Sequence, residues 1–209
     1  MSFNKQLSSG KFVVLAEINT PKGVDISRIV TDARRLKGRV DAIVVPDMDN
    51  GVMRMSALAG GALINQQGME AAIHVYTRDR NRMAIQGDLL AAYVLGIQNL
   101  VVVHGEEMIN SDHKDAKPVF DLDEYELLQV IQTLQEGTDM AGFDLDGRPD
   151  FTPGCTIAPF ADEAAMEKEL QLATKKVAAG ARYFITPPVF DIDRFESFLA
   201  SARTLGVPI

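Results

Sequence analysis

The sequence predicts an α/β protein built as a (β/α)8 barrel, and three observations carry that prediction. Short apolar runs alternate with helical patterns almost from end to end. Runs that are apolar without alternation imply strands covered on both faces, hence a parallel sheet with helices around it. Polar or charged residues recur where these runs end, at Glu17, Asp47, His74, His104 and Thr186, which is how a barrel collects its reactive groups at one rim. A doubly wound dinucleotide-binding sheet is disfavoured because no G-x-G-x-x-G follows the first strand.

The elements follow in order. Residues 12–18 read as a buried strand, and Ile26, Ile29, Val30, Ala33 and Leu36 give residues 25–36 helical spacing. A second strand over 42–46 precedes a helix near 56–66, and a third over 72–76 precedes a helix over about 81–95. The run 100–104 is the fourth strand, with a helix near 123–135. A weaker fifth at 155–158 leads into a helix near 162–179, and a sixth at 183–186 into a helix near 192–205. Residues 206–209 begin a seventh strand. A complete barrel takes about 250 residues, so the expectation is one domain over 1–209, a barrel truncated after about seven strands, its last strand and helices missing. The passages 106–122 and 137–153 read as rim loops.

Composition narrows the partners. An apolar fraction of 46% is enough for a sizeable core. A net charge of -8 argues against non-specific nucleic-acid binding. No apolar run approaches the roughly 20 residues of a membrane helix, and residues 1–6 lack the basic start and apolar core of a secretory signal. The lone Cys155 fits a reducing cytoplasm, and the scattered His74, His104 and His113 make no zinc pattern, so no metal is expected.

The passage 73–82 is the most telling. It joins an apolar run to a polar corner at the start of a helix, so that His74 and an arginine pair are placed to meet an anionic cofactor together with the helix dipole. Glu17 closes the first apolar run; partial desolvation there raises a carboxyl pKa and suits a general acid, while a carboxylate paired with a nearby cation fits the position equally well. A lone histidine such as His74 in an apolar strand is more often a satisfied core residue than a ligand contact. In His104-Gly105-Glu106 a glycine that permits close approach is flanked by a donor and an acid, although an ordinary tight turn has the same form. Lys175 and Lys176 stand where bases complement a helix C-terminus.

Taken together these motifs resemble the flavin-dependent methylenetetrahydrofolate reductase family, in its shorter bacterial branch. The matching pieces run in order through Ala16-Glu17 with Pro21-Lys22-Gly23, Asp47 to Ser56, Arg78-Asp79-Arg80-Asn81-Arg82 with Gln86-Gly87-Asp88-Leu89-Leu90, and Gly96-Ile97. They continue through Val103-His104-Gly105-Glu106, Phe120-Asp121-Leu122-Asp123, Pro159-Phe160-Ala161-Asp162, residues 175–181 and Val189-Phe190-Asp191. The resemblance implies a TIM barrel holding FAD at its C-terminal face. It also implies hydride transfer from NADH or NADPH through the flavin to 5,10-methylenetetrahydrofolate, giving 5-methyltetrahydrofolate for one-carbon metabolism and methionine biosynthesis in the cytoplasm. Glu17 matches the general acid that opens the bridged folate, and Glu106 a second acid beside the ring system. His74, His104, Gly105, Glu106 and Asp121 match flavin-contacting positions, and Lys175 and Lys176 match bases near the cofactor's phosphate and ribose.

Three departures stand out. Glu106 replaces an aspartate, lengthening that acid by one methylene, and Pro46-Asp47 replace a threonine–aromatic pair near the flavin. Pro187 replaces a glutamine that makes paired hydrogen bonds to the pterin, and proline brings no side-chain donor. They keep two alternatives open: a flavin-binding barrel subunit of a partner complex whose folate site has altered or been lost, and a pterin-binding methyltransferase barrel. A homo-oligomer is compatible with each.

Overall fold

A computed structural model of the chain describes residues 2–158 and 163–209. Six strands form one all-parallel sheet in sequence order: β1 (Leu15–Glu17), β2 (Ala42–Val45), β3 (Ala71–Tyr76), β4 (Asn99–Val103), β5 (Thr152–Thr156) and β6 (Phe184–Ile185). Six helices follow the strands in turn: α2 (Ser27–Leu36), α3 (Ala57–Gln66), α4 (Arg82–Val94), α5 (Glu124–Glu136), α6 (Glu163–Ala178) and α7 (Ile192–Ala202). The sheet curls, so that Leu15 of β1 and Ile185 of β6 line the same cavities. Six βα units wound in this way make most of a (β/α)8 barrel.

Alternation within each strand separates two apolar layers. Ile43, Val45, Ile73, Leu100, Val102 and Cys155 point outward and pack under the helices with Ile29, Ile64, Leu89 and Ile131. Ala42, Val44, Ala72 and Val101 point inward and fill the lumen with Tyr183. This double coverage is why the sequence of β2 shows no polar alternation.

An unanticipated helix, α1 (Phe3–Ser8), closes the base of the lumen. Phe3 is fully buried there and meets the Tyr183 ring edge-on at 5.3 Å, while its backbone N–H donates to Glu70 at 3.0 Å. Tyr183 fits because a Cβ on Gly154 would lie 2.4 Å from its ring.

Helix starts are set locally. Asp123 and Glu126 form a reciprocal capping box on α5, and Asn81 caps α4 through Ala84 N–H at 3.0 Å. Residues 206–209 form no strand, but Phe184 N–H donates to the Pro208 carbonyl at 2.9 Å, beside β6 where a seventh strand was expected. Strand β5 begins three residues earlier than expected. No described helix is long and apolar enough to cross a membrane.

Candidate active site at the strand C-termini

The inward positions of successive strands converge at the C-terminal rim. Glu17 ends β1, His74 and Tyr76 are consecutive inward residues of β3, and Thr156 ends β5. Glu17, His74 and Thr156, with His104, Lys176 of α6 and the apolar walls Leu15, Val44, Ile185 and Pro187, surround a cavity of about 570 Å³, which Tyr76 does not line.

Glu17, His74, His104 and Lys176, singled out in the sequence, therefore share one cavity. Gly105, Glu106, Asp121 and Lys175 stand back from it. Gly105 has φ +93°, and a Cβ there would sit 2.8 Å from the Tyr76 ring and 3.0 Å from Arg78 Cβ, so the position requires glycine. Glu106 Oε2 accepts from Arg78 at 3.1 Å. Asp121 accepts from the backbone and guanidinium of Arg82. Lys175 is exposed on α6. The family-like segment 159–162 lies outside the described residues.

The arginines of the polar corner are spoken for. Arg78, 1% exposed, donates to Asp79 through two nitrogens, to Glu106 and to the Met48 carbonyl, and lies 5.1 Å above the Tyr76 ring. Arg80 bridges Asp47 and Asp88 at 2.7 and 2.9 Å. Each guanidinium meets two carboxylates, so these arginines act as internal counterions rather than as free cations for an anionic ligand. Asp47 is itself buried and caps α3 through Ala57 N–H at 2.9 Å.

The electrostatics single out two cavity residues. Glu17 reaches solvent at the mouth, yet partial burial and then the nearby Asp49 carboxylate raise its pKa. Burial lowers His74 to about 4, against the pull of Asp49 and Asp47, so the ring is neutral at pH 7. Among the described residues, the buried His74 Nδ1 has no hydrogen-bond partner. Lys176 is held by Glu124 at 2.9 Å and by the Thr156 carbonyl at 3.3 Å. Cys155 faces the helices, and burial pushes its thiol to about 12, which leaves it unreactive.

Sequence reasoning passed over Tyr76 and Asp49. The period of two from His74 would have found Tyr76. Asp49 belongs to no strand or helix pattern, because a turn brings it to the rim.

The family model described as methylenetetrahydrofolate reductase matches residues 2–209. No curated protein matches the chain. Among solved structures, the chain is similar to an aldolase, QR15, at 13% identity and TM-score 0.54, covering 92% of this chain and 76% of that one. It is also similar to 2,3-dimethylmalate lyase of the PEP mutase/isocitrate lyase superfamily, at 9% identity and TM-score 0.60, with 94% and 64% covered. A long-chain alkane monooxygenase matches at 12% identity and TM-score 0.59, with 93% and 61% covered. The chain thus spans about three quarters of the first of these and less than two thirds of the other two. At such identities the likeness concerns the fold alone.

Proposed function

The chain belongs to the methylenetetrahydrofolate reductase family, and from that premise we propose that it reduces 5,10-methylenetetrahydrofolate to 5-methyltetrahydrofolate, with FAD as cofactor and NADH or NADPH as donor. The observation that carries this reading is the convergence of Glu17, His74, His104 and Lys176 on one cavity at the strand C-termini.

The residues present suit a flavin. Among the described residues His74 offers a buried ring nitrogen that lacks a partner, His104 adds a polar group, Lys176 presents an ammonium already paired with Glu124, and apolar walls face them. His74, His104 and Lys176 would hold it, with Gly105, Asp121 and Lys175 as outlying contacts. When bound, a flavin supplies the ring that accepts hydride from the nicotinamide and passes it to the folate.

The protein's own part is proton control and water exclusion. Glu17, with its raised pKa, keeps more of its proton near neutrality than an ordinary glutamate and would deliver it to the folate nitrogen that leaves the bridging carbon. His74 stays neutral, so it adds no charge to the cavity. Leu15, Val44 and Ile185 keep water from the reacting carbon. Glu106, turned toward Arg78, would act by holding that guanidinium over Tyr76.

Two measurements test the reading. The purified protein is expected to carry a visible flavin spectrum, bleached by NADH or NADPH and restored by methylenetetrahydrofolate. Glu17→Gln is expected to slow the folate half-reaction by about 10²- to 10⁴-fold and to spare flavin reduction. Equal survival of both half-reactions in that variant would overturn the role of Glu17. Pro187 favours a second reading, a flavin-holding subunit with altered folate recognition, because it places a side chain without a donor on the cavity wall. That protein would be yellow and would leave the folate unreduced on its own.

A further inference from the structure

We propose that a polar cleft beside Glu17 receives the glutamate arm of the folate, and that Arg54 is the cation that binds its carboxylates. The inference rests on the functional reading above and extends it to the part of the substrate that lies away from the reacting carbon.

Chemistry sets where the arm begins. The product 5-methyltetrahydrofolate keeps the one-carbon unit on N5, so the nitrogen that leaves the bridging carbon is N10. That nitrogen also carries the p-aminobenzoyl-glutamate arm. A group that protonates N10 therefore stands at the root of the arm, and in this reading the group is Glu17. Glu17 lines the cavity of about 570 Å³ and also a neighbouring cleft of about 590 Å³. The cleft is walled by the residues that follow β1, by Arg28 and Ile29 of α2, and by Arg54 from the loop after β2. With the pterin in the first space, the arm has the second to enter.

Charge gives the second argument. Three cations line the cleft. Lys22 is paired with Asp112, and Arg28, 94% exposed, reaches Asp32 at 3.6 Å, a contact of little strength in water. Arg54 is partly buried and meets no carboxylate among the described residues, where its guanidinium donates to the Thr20 carbonyl at 3.3 Å. The other rim arginines, Arg78, Arg80 and Arg82, are each matched by a carboxylate. The aspartates of the cleft are engaged too, Asp32 with Arg28 and Arg35, and Asp25 with Ser27 N–H. A guanidinium carries five N–H donors in a planar fork that matches a carboxylate, so Arg54 keeps donors for an acid that the ligand brings.

The backbone holds Arg54 in place. Its N–H donates to Met48 Sδ at 3.3 Å, Met55 N–H donates to the Pro21 carbonyl at 3.0 Å, and the Thr20 hydroxyl donates to the Met55 carbonyl. These bonds tie the loop after β2 to the loop after β1, so little order has to be created when the arm binds.

The test compares tetrahydrofolate with tetrahydropteroate, which lacks the glutamate. Each is titrated into the purified protein in the presence of excess FAD. The parent is expected to bind the glutamyl compound about ten- to a hundredfold more tightly, the worth of a charge-assisted pair. Arg54→Met is expected to bring this ratio to within about threefold of one, and Arg54→Lys to keep part of it. Arg54→Gln is read in the same way should Arg54→Met misfold. A ratio near one in the parent, or the parental ratio retained in Arg54→Met and Arg54→Gln, overturns the proposal. The same preference should appear in kcat/KM for the methylene derivatives, carried by KM, because the arm stands away from the reacting carbon. Failure of the functional reading looks different: the parent would show an Arg54-dependent preference for the glutamyl compound and reduce neither methylene derivative.

Discussion

At the scale of single residues, the interior cation Arg78 makes the sharpest claim. Removing one partner of a buried ion pair leaves the others uncompensated and typically costs about 3–5 kcal/mol. Here Asp79 and Glu106 keep 23% and 42% exposure, so water can replace part of what Arg78 provides. Arg78→Met is therefore expected to lose about 2–3 kcal/mol in urea denaturation, below the usual range. The sequence made much of this arginine and misjudged its task. A cation near a helix start looks the same whether it awaits a ligand or serves two carboxylates, and Asp79 and Glu106 come together with it only in the fold. Glu17 and His74 were legible because each interrupts an apolar run. Asp49 was not, since it reaches the rim through a turn with positive φ at Met48 and Asn50, which no sequence period announces.

Elements carry their own signals, and α5 carries the strongest. Its reciprocal Asp123–Glu126 box satisfies two N-terminal donors. Asp123→Ala is expected to lower stability by about 1 kcal/mol, read as a lower denaturation midpoint with unchanged slope. Most elements were visible in the sequence because burial on both faces leaves runs of Val, Ile and Ala. The exceptions have physical causes. Strand β5 opens on Thr152-Pro153-Gly154, where the proline and glycine argue against a strand, yet Gly154 is there to admit the ring of Tyr183, the residue that leads into the neighbouring β6. Helix α1 spans only Phe3–Ser8, too short to show a period, and is held by one buried phenylalanine and by Gln6 donating to Asp41 at 2.8 Å.

For the whole molecule, the buried imidazole of His74 makes stability depend on pH. Its folded pKa lies near 4, below the ordinary 6.5, so the unfolded chain takes up this proton first as pH falls. The stability is fully present above 6.5, drains away between 6.5 and about 4, and amounts to about 2 kcal/mol lost at pH 5. Glu17 works in the opposite sense, because its raised pKa lets the folded state gain on acidification. His74→Gln should flatten the slope of denaturation midpoints between pH 7 and 5, and a slope unchanged in that variant would assign the acid sensitivity elsewhere. The plug formed by Phe3 has a practical corollary. A purification tag fused ahead of residue 2 would leave the molecule at the floor of the barrel, on the side away from Glu17. Protein tethered through such a handle to an electrode or a bead would stand with its reactive opening toward the solution.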